Sequence, residues 1–67
     1  MDREAEFADL READRHIYEA EHRLAKHQAL ALERPSEQAE QMLRTMRAAL
    51  ETMHTHRRLI IQALEGT

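Results

Sequence analysis

One break constrains this chain more than any other feature. Pro35 is the only proline, and the only glycine, Gly66, lies one residue from the end. Two runs of about thirty residues are left with nothing that interrupts regular structure. Proline lacks a backbone donor and disfavours helical geometry at the residue before it, here Arg34. Ala, Glu, Arg, Leu, Gln and Met, all strong helix formers, dominate both runs. Val and Trp are absent, and Ile, Thr, Tyr and Phe are too few and scattered for a sheet. The chain is expected to be all-α and a single domain over residues 1–67. Helix 1 should cover about residues 2–33, the turn 34–36 and helix 2 about 37–64. So short a connection makes the two helices antiparallel neighbours.

The apolar spacing agrees. Leu10, Ala13, Ile17, Ala20, Leu24, His27 and Ala31 recur at alternating steps of three and four, the a/d heptad pattern of a coiled-coil-like seam. Leu10, Ile17 and Leu24 take a positions, and the d positions are mostly Ala. Phe7 lies beside the seam one turn earlier. The outer face carries Glu12/His16, Glu19/Arg23 and His22/Lys26 at i,i+4 spacing, of which only pairs of opposite sign help. Ser36 is placed to cap helix 2, with Glu37 and Glu40 in the first turn where the helix dipole favours negative charge.

Helix 2 has the broader stripe: Leu43, Met46, Leu50, Met53, Ile60 and Leu64, flanked by Met42, Ala49, Ile61 and Ala63. In a hairpin turning near residue 35, facing residues sum to about 70. That sets Leu24 against Met46, Ala20 against Leu50, Ile17 against Met53 and Leu10 against Ile60. Ala13 falls opposite Arg57, whose stem is expected to cover the alanine while its head reaches solvent. The narrow first helix covers only part of the second stripe. Chains this small rarely bury enough surface alone, and with no cysteine a disulfide is excluded. The expectation is a homo-oligomer, with a two-fold dimer closing a four-helix bundle favoured. Its interface is expected among Met42, Ala49, Met53, His56, Ile60, Ile61 and Ala63. The partner should cover the Met42/Ala49/His56/Ala63 flank or, failing that, the Ile61 side.

Other function classes find little support. The chain has no cysteine, one serine (at the turn cap), no aspartate in the second helix and no concavity to exclude water, so an enzyme is not expected. No cofactor motif is present. Glu19-Ala20-Glu21-His22 and Glu51-Thr52-Met53-His54 both read E-x-x-H, a di-iron bundle spacing, but Glu19 and His22 belong to the outer face. His54 and His56 point about 200° apart on a helix, so they cannot share an ion. His16 and His54 share a level and are the candidate for weak zinc or nickel binding. His27, at a d position, and His56, on the flank assigned to the partner, suggest an assembly loosened by protonation near pH ~6.

Arg44, Arg47 and Arg58 offer a runner-up, a small nucleic-acid-binding regulator. The net charge of −3 and the lack of an aromatic platform weigh against it. No apolar run approaches the ~20 residues of a membrane span. The N-terminal residues Met1 to Glu6 are charged where a signal peptide is apolar. A cytoplasmic protein is expected.

Ala13-Asp14-Arg15-His16-Ile17, then Glu21-His22-Arg23-Leu24-Ala25-Lys26-His27-Gln28, Ala39-Glu40-Gln41-Met42-Leu43 and His56-Arg57-Arg58-Leu59-Ile60 form a recurring pattern. Over about residues 13–61 it resembles a group of small uncharacterised two-helix proteins of α-proteobacteria, of the form ADRHI…E-R-I-A-R-Q…AE-x-LL…EHRRLI. The connection Glu33-Arg34-Pro35-Ser36 is shorter than the polar, Gly-containing loop of that group. The resemblance implies a bacterial, cytoplasmic helical protein and supplies no functional residues. Taken together, the residues point to a non-enzymatic, self-associating protein–protein interaction module.

Overall fold

The computed structural model describes residues 3–66. The helix start expected at Asp2 lies outside them. Two helices account for nearly all the rest: α1, Arg3–Glu33, and α2, Glu37–Glu65, packed side by side as an antiparallel hairpin. Among the described residues there is no strand. A 31-residue helix is ~46 Å long at 1.5 Å per residue, and the molecule is a rod of 48 × 15 × 12 Å.

The turn forms as its residues dictate. The Arg34 amide donates to the Leu30 carbonyl at 2.9 Å, after which Pro35 has no donor to continue the helix. Ser36 is extended (φ −156°, ψ 160°), and its hydroxyl accepts from the Ala39 amide at 3.0 Å. That satisfies one of the amides that a helix start leaves unpaired. Glu37 and Glu40 follow in the first turn. The second helix runs one residue beyond expectation, and the Gly66 amide closes on the Gln62 carbonyl at 2.9 Å in right-handed geometry.

Burial follows the heptads in phase on both helices. Residues 6, 10, 13, 17, 20, 24, 27 and 31 of α1 are buried or half-buried, and so are 39, 43, 46, 50, 53, 57, 60 and 64 of α2. Each residue of the first set has a sum-to-70 counterpart in the second. Ala20 shares one depression with Met46 and Met53, the residues on either side of its counterpart Leu50. At the open end the seam residue is Glu6, set at the level of Leu64, while Phe7 keeps 43% of its surface exposed and lies under the Arg3 guanidinium at 5.8 Å.

The Arg57 head reaches the surface, as expected, and an ion pair fixes it there. Its Nε donates to Asp14 Oδ1 at 2.5 Å, so the guanidinium is held by a carboxylate of the other helix. Ala13 is buried beside it. On the outer face of α1, Arg15 pairs with Glu12 and, at 3.3 Å, with Glu19, and His16 Nε2 lies 3.4 Å from the same Glu12. Glu19 therefore reaches back to Arg15, where the spacing pointed it toward Arg23.

The core is small. Ala13, Ile17, Ala31, Leu43 and Ile60 are its buried residues, and even Leu43 keeps 5% of its surface.

Candidate interaction surface

A chain of 7.9 kDa folded as a compact monomer exposes about 4,400 Å². The hairpin exposes 5437 Å², an excess of about 1,000 Å² over that scaling. Its radius of gyration, 15.4 Å, likewise exceeds the ~11 Å of a compact chain of this length. Among the described residues, six large apolar side chains are exposed: Phe7, Tyr18, Leu30, Leu32, Met42 and Leu59.

The expected interface residues divide by heptad position. Met53 and Ile60 are d residues turned toward α1, and within the single chain Ile60 is buried and Met53 half-buried. Ile61 and Ala63 are half-buried as well, since they flank the seam closely. Met42, Ala49 and His56, at g like Ala63 but nearer the turn, stay exposed, Met42 at 50%. Met42 lines an open depression at the turn end with His27, Leu30, Ala31, Glu33, Arg34 and Ala39.

Charge separates the faces of α2 more sharply than apolarity does. All its acidic and basic residues, Glu37, Glu40, Arg44, Arg47, Glu51, Arg57, Arg58 and Glu65, fall on positions a, b and e. The c, f and g positions from Gln38 to Ala63 contain none, although all but Ala63 are exposed. An exposed protein surface normally carries about a quarter to a third charged residues. The matching face of α1 has them in plenty: Asp9, Glu12, Arg15, Glu19, Arg23, Lys26 and Glu33.

Two hydroxyls that interrupt the apolar run of α2 are already satisfied. Thr45 Oγ1 donates to the Gln41 carbonyl and Thr52 Oγ1 to the Ala48 carbonyl, each at 3.1 Å. With its donor bonded to its own helix, each threonine can present its methyl group outward. Thr45, Thr52 and Leu59, all c positions, thus join Met42, Ala49, His56 and Ala63 in a second heptad stripe. Sequence reading aimed at apolar residues passes over it, because threonine counts as polar. The signal that finds it is the missing charge.

The histidines are arranged otherwise than their levels suggest. His16 lines one depression with Ala13, Thr52, Met53 and His56. His54 sits at an e position on the opposite flank, since residues two apart on a helix point about 200° from each other. Matching levels fix height along the hairpin, not side, so His16 meets the neighbourhood of His56. No group of three or more metal-ligating side chains occurs among the described residues. His27 is half-buried at the turn end. Arg44, Arg47 and Arg58 are exposed, but Glu40 and Glu51 lie between and beside them on the same arc, giving a surface of mixed sign. Among the described residues no helix is long and apolar enough to cross a membrane.

Compared with protein-family models, curated proteins and solved structures, the chain matches none of them.

Proposed function

We propose that this protein is a non-enzymatic interaction module that completes its core by self-association, with a dimer forming a four-helix bundle. The observation that carries the reading is the excess surface. A standard protein–protein interface removes about 800 Å² from each partner. The hairpin exposes about 1,000 Å² beyond what its mass requires. One interface of ordinary size leaves on each chain about the surface that a compact monomer of its mass exposes.

The mass in solution tests this directly. Sedimentation equilibrium at micromolar concentration is expected to give twice the chain mass of 7.9 kDa. A well-folded species at the monomer mass throughout that range overturns the reading.

A further inference from the structure

We infer that the occupant of the uncharged face of α2 is the same face of a second copy, with the two α2 helices antiparallel about a two-fold axis. The inference rests on the self-association reading and assigns it a surface and an orientation. The stripe running from Met42 through Thr45, Ala49, Thr52 and His56 to Leu59 alternates in steps of three and four, the spacing of a helix-packing seam. It presents no formal charge to desolvate, and its two threonine donors are bonded within their own helix.

Side-chain size along the stripe suits a crossing at its middle. Ala49 and Thr52 are small and central, while Met42 and Leu59 are large and at the ends. Crossing helices approach most closely at one point and diverge on either side, so small residues belong at the crossing and large ones beyond it. Antiparallel a/d-type layers then set Met42 against the partner's Leu59, Thr45 against the partner's His56, and Ala49 against the partner's Thr52.

Charge selects the antiparallel orientation. The half of the rod nearer the turn, residues 19–50, holds five acidic and five basic residues and is neutral. The described residues of the free-end half, 3–18 and 51–66, hold seven acidic and five basic residues, a net charge of −2. A parallel dimer sets the two negative ends together within a Debye length, whereas an antiparallel dimer sets each against a neutral half. Antiparallel helix dipoles add in the same direction.

The chain has no cysteine, so introduced thiols report cleanly. Met42→Cys and Leu59→Cys proteins are prepared separately, mixed, and treated with a short thiol-to-thiol cross-linker. The two positions are seventeen residues apart, about 25 Å along the helix, so in the antiparallel arrangement neither protein links to itself. The mixture is expected to give the hetero-linked dimer as its main product, at least tenfold above either protein alone. Ready self-linking of Met42→Cys overturns the orientation. If the unmodified chain sediments as a dimer and none of these links forms, the face is wrong and self-association stands. If the unmodified chain sediments as a monomer, self-association and this surface fail together.

A charge at the crossing supplies the second readout. Ala49→Glu leaves the hairpin's own seam intact, so helical circular dichroism should persist. The dimer dissociation constant should rise on the order of 100-fold, because the carboxylate is taken out of water at the crossing at a cost that the exposed Arg23, on the rim of the same depression, offsets only in part. An unchanged constant overturns the assignment.

Discussion

At Ser36 a single hydroxyl decides where the second helix begins. Its hydrogen bond from the Ala39 amide replaces water at one of the free amides of the first turn. Ser36→Ala removes that acceptor at a cost of about 1 kcal/mol, which in a chain of this size lowers Tm by roughly 4–8 °C. Circular dichroism melts check it, and an unchanged Tm means that Pro35 and the helix dipole set the boundary alone. Glu12 offers a second residue-scale test. The hydrogen bond from Arg15, then the Arg15 charge and to a lesser degree His16, hold its carboxyl below the ordinary value of 4.5. Its contribution to stability is present above the unfolded-state value and is lost as pH falls through the lowered folded-state value. The groups are exposed and the contribution is small, so the titration itself is the better readout. In Arg15→Gln the Glu12 midpoint, followed by carboxyl NMR shifts, is expected to move up toward the ordinary value. A midpoint that stays put shows that the pair does not persist in solution.

Between the two helices, position in the heptad decides what each leucine contributes. Leu43 is a buried a residue, and Leu43→Ala should cost about 2–5 kcal/mol through lost transfer and the cavity left behind. Leu32 is 84% exposed, and Leu32→Ala should stay within about 0.5 kcal/mol. Denaturant melts of the pair test the register, and equal losses contradict the seam. The seam was legible in the sequence because a/d spacing, the lone Pro35 and the Ser36 cap all speak through local chemistry. The levels at which residues face one another followed from the turn position by simple counting. What spacing did not reveal was side and reach. It put His16 with His54, whereas the antiparallel wheel sets g beside g and brings His16 to His56. It sent the Arg57 head to solvent but did not show that Asp14, forty-three residues away in sequence, pairs with it there. The c-position residues Thr45, Thr52 and Leu59 were passed over because the stripe there is defined by absent charge. Their suitability for packing depends on hydroxyl bonds that only coordinates display.

For the molecule as a whole, folding and assembly are expected to be linked, the dimer adding stability to a hairpin that holds weakly on its own seam. Five buried residues among those described, two of them alanines, are a thin basis for an independent hairpin. When the folded state is a dimer and the unfolded state is two chains, mass action makes Tm rise with concentration. Two chains of 67 residues, at ~0.7 kcal/mol of unfolding enthalpy per residue, give a rise of about 5 °C for each tenfold increase in concentration. Melts from 5 to 500 μM, treated as about two decades, should therefore separate by roughly 10 °C. Ala49→Glu should flatten that dependence and melt at every concentration near the low-concentration limit of the unmodified chain, since it removes the partner while keeping the seam. A Tm independent of concentration for the unmodified chain would leave the excess surface of the hairpin without this explanation. It would mean that the two helices hold together on their own seam alone.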